Sequence, residues 1–202
     1  NGSGTVTGIS VGGLPDGIVD AGTLATNSVD SAELIDGAID TAHLASGVGG
    51  KVLQVVQTVK TDTASHSGTS WSSALMSASI TPTSASNKIL VMYCATMVVS
   101  DDSYETYTSL WRDSTQIFLA DAAGSRGRSS GIVGKVDAYA GETLSQQYLD
   151  SPSTTSSITY TFKARSSGVG VSSFINRGVT DRDAAHYDFR GASSLTLMEI
   201  GA

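Results

Sequence analysis

The chain has 202 residues, only 15% of them charged, and a formal charge of −7. That sign argues against nucleic-acid binding, which needs a basic face to neutralise phosphates, and it gives no support for docking on an anionic membrane. A single cysteine, Cys94, excludes an intrachain disulfide, and no apolar run approaches the roughly 18 residues of a spanning helix.

The chain opens Asn-Gly-Ser-Gly, without Met or a signal peptide, and is expected to be a fragment with residues missing on its N-terminal side. From residue 9 to 48 it divides into blocks of ten: ISVGGLPDGI, VDAGTLATNS, VDSAELIDGA and IDTAHLASGV. Each block begins with Ile or Val (Ile9, Val19, Val29, Ile39) and has Leu at its sixth position (Leu14, Leu24, Leu34, Leu44). Asp20, Asp30 and Asp40 stand where a helix N-cap would sit. The apolar residue before the cap and the Leu four after it form a hydrophobic staple, and Glu33 completes a capping box with Asp30. Gly17, Asn27, Gly37 and Gly47 suit the left-handed stop of a short helix.

Each block therefore reads as one helical turn and an extended link. One turn is unstable alone in water, and a spacing of five keeps no single face apolar in either a helix or a strand. A lone copy could not bury enough apolar surface to offset its ordering entropy. The expectation is a shaft in residues 1–50 made of several chains wound or stacked around one axis, with Val19, Leu24, Val29, Leu34, Ile39 and Leu44 in a core shared between them. The alternative is a disordered linker whose similarity is fortuitous. His43 occupies a variable repeat position, so exposure is its default; three copies meeting on a symmetry axis could hold an ion.

Gly47-Val-Gly-Gly50 is a joint. Residues 51–202 then change texture. Segments 51–60, 73–82, 87–99, 104–113, 114–122, 131–139, 143–151, 156–165, 170–177 and 192–200 are rich in Val, Ile, Thr and aromatics and read as strands. The turn signals between them predict a mainly β fold, a β-sandwich or jelly-roll head. Cys94 reads as a small core residue of its strand. The last strand ends close to the final residue, as in a self-contained terminal domain.

No nucleophile, zinc, phosphate-loop or dinucleotide motif occurs, and no cofactor is expected. His43, His66 and His186 lie far apart in sequence, in no ligand spacing. Tyr104 and Tyr107 follow the Asp101-Asp102-Ser103 turn, and their aromatic character fits either a binding patch or cross-strand packing. The loop 124–131, GSRGRSSG, offers Arg126 and Arg128 to an anion or a sugar acid, or is a solvated turn. The densest polar stretch, 176–191, carries Arg182, Asp183, His186 and Tyr187. Carboxylates, arginines and aromatics together suit sugar recognition and equally suit a subunit interface.

The ten-residue pattern SVDSAELIDGAIDTAHLASG resembles the repeats of bacteriophage tail fibres. VLQVVQTVKTDT (52–63), ITPTSASNKILVM (80–92), RDSTQIFLADAAGSRGR (112–128), YLDSPSTTSSITYTFKA (148–164) and ASSLTLMEIGA (192–202) resemble the C-terminal domain of tail-fibre-like proteins of marine and freshwater phages, cyanophages among them. The resemblance implies a homotrimer, a place in the virion tail, joined to the tail or baseplate through a preceding region, and adsorption to a host-surface glycan or lipopolysaccharide. It supplies no catalytic residue and requires no metal or organic cofactor. The alternatives are a tailspike-like polysaccharide depolymerase, which needs paired acids along a groove, and the trimeric head of a bacterial adhesin or virion decoration.

The staple makes one expectation testable. Leu34→Asp would place a charge from each chain in the shared shaft core, and light scattering should show the assembly falling toward single chains. An unchanged mass and melting temperature would show that Leu34 does not face inward.

Overall fold

The computed structural model describes residues 51–134 and 140–202, together with Ile39 and His43. The chain divides into two units, Asn1–Gly49 and Gly50–Ala202. The one-turn helices of the repeat and the inward positions Val19, Leu24, Val29, Leu34 and Leu44 lie outside the described residues. Ile39 and His43 are both exposed.

Within the second unit the described residues form eleven strands and no helix. They are β1 (Val52–Lys60), β2 (Ala64–Ser67), β3 (Met76–Ile80), β4 (Lys88–Val99), β5 (Thr106–Arg112) and β6 (Thr115–Ile117), followed by β7 (Gly131–Val133), β8 (Glu142–Asp150), β9 (Ile158–Ser166), β10 (Ser172–Ile175) and β11 (Ser193–Ile200). All pair antiparallel, and the pairing is nested. β1 pairs with β11, β2 with β10, β3 with β9, β4 with β8, and β5 with β7. The described residues of the second unit thus form one long hairpin folded over on itself. Lateral pairings of β4 with β11 and β10, and of β5 with β9 and β6, fold it into a six-stranded and a five-stranded sheet.

The inner faces of the two sheets make the core. β4 contributes Ile89, Val91, Tyr93, Ala95 and Met97; β9 contributes Ile158, Tyr160, Phe162 and Ala164; β11 adds Leu195 and Leu197. Tyr93 and Phe162 meet across the sheets with centroids 4.9 Å apart. Several polar groups at the margin of this core are paired. Asp150 accepts Arg112 Nη1 on both of its oxygens, at 2.9 and 3.0 Å, and the Tyr160 hydroxyl at 2.6 Å. Burial, reinforced by that carboxylate, raises the Tyr160 pKa and keeps its hydroxyl protonated.

The ten expected strands are present in whole or part, so the β-rich sandwich was readable; residues 135–139 of the sixth lie outside the described residues. Three details differ. β2, Ala-Ser-His-Ser, has no β-branched or large apolar residue and is a strand because β10 pairs with it. β6 stops at Ile117 because Phe118 turns the chain at φ 50° and stacks on Tyr148, centroids 5.1 Å apart. Cys94 is not in the core. β4 is apolar on both faces, and its inward set begins at Ile89, which places Leu90, Met92, Cys94 and Thr96 on the outer face.

One row of that outer face of the six-stranded sheet is apolar across four strands. Val55, Met198, Leu90 and Leu149 stand in register as one row over β1, β11, β4 and β8. Val55 and Leu149 are about half exposed (55% and 48%), as is Val59 (56%) farther along β1.

Glu199 is the one carboxylate turned into the protein from β11. It is fully buried and accepts four hydrogen bonds: Gln54 Nε2 at 2.6 Å, Thr83 N at 2.6 Å, Thr83 Oγ1 at 2.8 Å and Asn87 Nδ2 at 2.6 Å. Burial alone would push its pKa up, but these donors outweigh it and hold the carboxyl at about 2. A folded-state pKa below the unfolded value stabilises the protein above the unfolded value of about 4.5, and that stabilisation is lost as pH falls toward 2. Glu199→Gln should cost about 2 kcal/mol at pH 7, because an amide cannot accept from all four donors. The variant should also show a shallower loss of stability than wild type between pH 4.5 and 2. Urea unfolding across that range measures both; parallel curves would show that Glu199 is not ionised in the fold.

Candidate functional site

The sequence singles out residues 176–191, and the structure shows how this loop is held. Asn176 leaves β10 at φ 62°, a left-handed conformation that Asn tolerates. It is fully buried, donates Nδ2 to the carbonyls of Lys60 and Asp62 at 2.9 and 3.0 Å, and accepts from Ser193 Oγ at 2.6 Å. Arg177 and Arg190 close the base as an isolated bridge. Near the other end, the Phe189 ring packs so closely on Gly141 that a Cβ there would lie 2.5 Å from it.

The charges of the loop are directed at one another. Asp181 pairs with Arg190 and with Arg177, the latter at 2.9 Å. Asp188 accepts Arg182 Nε and Arg182 N, at 2.9 and 3.0 Å, and Thr180 Oγ1 at 3.2 Å. The hydrogen bond from Arg190 holds Asp181 below the usual carboxylate range, and that from Arg182 does the same for Asp188. Arg182 also stacks over Tyr187, 4.9 Å from the ring centre. Asp181, Arg182, Asp183, Asp188 and Arg190 line a depression of about 370 Å³ in which both arginines are already paired with carboxylates. Asp183, His186 and Tyr187 are exposed beside these pairs.

Arg126 and Arg128 do not form an anion site by themselves. Arg126 Nη1 donates to the Ala123 carbonyl at 3.2 Å, and Arg128 Nε to the Ala120 carbonyl at 2.6 Å, so both fold back on their own loop. Tyr104 and Tyr107 are not brought together: Tyr104 lies on Gly168, whereas Tyr107 faces Arg165.

Tyr107 leads to a surface that sequence reasoning missed. The outward residues of β5 and β9 are Tyr107, Ser109 and Trp111 beside Thr161, Lys163 and Arg165, with Tyr107 directly opposite Arg165 and Ser109 opposite Lys163. Trp71, from the segment before β3, completes the set. Its neighbour Ser72 is fixed to β9 by Ser72 N donating to the Ala164 carbonyl at 2.9 Å and Ala164 N donating to Ser72 Oγ at 3.1 Å.

Rings and cations alternate across this face. Lys163 Nζ lies 4.4 Å from the centre of Trp111. Trp111 meets Trp71 edge to face at 6.3 Å. Arg165 sits between Trp71 and Tyr107, 5.2 and 4.4 Å from their centres. All five side chains are half-buried. The indole N–H of Trp111 is buried and has no acceptor among the described residues, a condition that costs roughly 1–3 kcal/mol. Glu105, two residues before Tyr107, is engaged by Ser167 Oγ at 2.9 Å. Such an array offers ring faces to an apolar surface and cationic donors to an anion. Only Tyr107 was legible beforehand, because the five residues come from three separate segments.

No group of three His, Cys, Asp or Glu that could hold a metal occurs among the described residues. No family model matches the chain, and no curated protein matches it.

The basic loop touches the aromatic face through its glycine. A Cβ at Gly127 would meet Arg165 Nη2 at 2.9 Å and the Tyr107 ring at 3.1 Å. Gly127→Ala should leave stability within about 0.5 kcal/mol, since a flexible guanidinium end can yield. It should shift tryptophan emission as Arg165 moves against Trp71. Unchanged emission with an unchanged urea midpoint would mean that the loop and the rings are not in contact.

Proposed function

We propose that this chain is the distal part of a homotrimeric bacteriophage tail fibre, with a decapeptide-repeat shaft in residues 1–50 and a receptor-binding head in residues 51–202. In the virion the head adsorbs to a glycan on the host surface. The observation that carries the reading is the open apolar row on the outer face of the six-stranded sheet, formed by Val55, Met198, Leu90 and Leu149. A single chain leaves that row uncovered. A contiguous apolar patch with few charges has the character of a subunit interface rather than of ordinary surface. Lys88, opposite Ile200, is the charged residue on the outward face of β4.

The repeat supports the same assembly independently, because its staples need neighbouring chains to close a core. The nested strand pairing is the winding of a jelly roll, an architecture that caps its edges within one compact unit. The polar, aromatic face of the other sheet supplies the ligand-binding character. Three linked heads would raise the avidity of a weak sugar site through effective concentration.

Light scattering on the full chain should give a mass near three times 20.7 kDa. Val55→Glu with Val59→Glu should keep the sandwich folded, since both side chains point outward, while the mass falls toward a single chain on dilution. A monomeric wild type would overturn the fibre reading. An unchanged trimer would remove this face from the contact. Steady release of reducing ends from host polysaccharide incubated with the same sample would replace binding by depolymerisation.

A further inference from the structure

We infer that the Trp71–Trp111–Tyr107 face, with Lys163 and Arg165, is the receptor site and that it takes an anionic saccharide: a sugar ring stacked on the indoles, with its carboxylate or phosphate held by the two cations. The inference rests on the glycan-binding reading above but not on the trimer.

The argument starts from Arg165. Every other arginine has a protein partner: Arg112 on Asp150, Arg126 and Arg128 on backbone carbonyls, Arg177 and Arg190 on Asp181, and Arg182 on Asp188. Arg165 donates no hydrogen bond to the protein and joins no ion pair among the described residues; its contacts are the faces of Trp71 and Tyr107. Lys163 is in the same state over Trp111. A half-buried guanidinium keeps its planar set of donors available, and that set matches a carboxylate or phosphate in two-point geometry. The surrounding rings hold it in place, so little side-chain freedom is lost on binding. This occurs in a chain of net charge −7, where surface cations would ordinarily find acids.

The rings select a saccharide over a bare anion. Indole faces bind the apolar C–H face of a sugar, while the polar rim accepts and donates hydrogen bonds. Ser109, between Tyr107 and Trp111 on β5, is fully buried, and its Oγ accepts Gln116 Nε2 at 2.7 Å. The loop 176–191 lacks this combination because its arginines are committed to Asp181 and Asp188.

The test uses the full chain against immobilised oligosaccharides of galacturonic, glucuronic and neuraminic acid, their methyl esters, a phosphorylated oligosaccharide, and inorganic polyphosphate as an anion without a ring. At least one acidic sugar should bind, with its uncharged counterpart at least about tenfold weaker. Binding confined to the phosphorylated oligosaccharide would identify phosphate as the anion. Lys163→Gln with Arg165→Gln should abolish the preference for charge, and Trp71→Ala should weaken every sugar while unfolding remains near wild type. No binding to any carboxylated or phosphorylated sugar, equal binding of the esters, or polyphosphate binding as tight as that of the sugars would each overturn the inference. Double-glutamine trimers that adsorb to host cells like wild type would overturn this site and leave the fibre reading standing. A monomer that binds acidic sugars would do the reverse.

Discussion

The rest of the fold depends on β4. This twelve-residue strand pairs along one edge with β8 and along the other with β11 and then β10, so three returning segments of the chain converge on it. Its length lets one edge serve two partners in succession. Its inner residues, Ile89 to Met97, supply much of the buried core, and its outer residues continue the apolar row. A strand with apolar residues on both sides is normally covered on both faces. Here one side is covered by the second sheet, and the other is the face assigned to neighbouring chains.

Nesting makes long-range pairing unavoidable. β1 and β11 come together only when everything between them has folded back, and pairings of that kind are slow to form because their loop-closure cost precedes their stabilisation. The two polar clasps sit where this pattern closes. Glu199, on the last strand, is gripped by Gln54 from the first strand and by Thr83 and Asn87 ahead of β4. Asn176 ties the end of β10 to the backbone after β1. A fully satisfied buried network specifies one register, whereas a shifted strand would leave a buried carboxylate without donors. The clasps therefore bind the termini of the nested hairpin to its interior more selectively than apolar packing could.

The strands were legible because their local chemistry and their tertiary role agree. Segments such as Ile158–Ser166 alternate apolar and polar residues, and the inward set lies where the pattern puts it. β2 was not legible, since Ala64–Ser67 is a strand only through β10. In β4 the existence of the strand was clear and its facing was not, because an unbroken apolar run has no period to read. That ambiguity misplaced Cys94 and concealed the outer row. The candidate site divides in the same way. The loop 176–191 stood out as a dense run of charge, but density in sequence says nothing of pairing, and Asp181 and Asp188 neutralise its arginines. Trp71, Trp111, Lys163 and Arg165 were each unremarkable in their own segments. Cross-strand register and one loop bring them together.

The two outer faces of the sandwich are chemically unlike, and the difference follows from which strands each sheet contains. The six-stranded sheet holds β4 and β1, whose outward positions include Leu53, Val55, Val59, Leu90 and Met92 alongside Gln57, Lys88, Cys94 and Thr96. The five-stranded sheet holds β5 and β9, whose outward positions are aromatic, hydroxylic and cationic. An apolar face loses little on meeting a copy of itself and gains from excluding water. A face of half-buried cations would be penalised by the same contact, since burying charge without a counter-charge is costly. On the proposed reading, self-association and ligand binding would fall on opposite sides of one head. Assembly of the proposed trimer through the first would leave the second accessible in every copy, the condition under which three weak sites could engage a surface together.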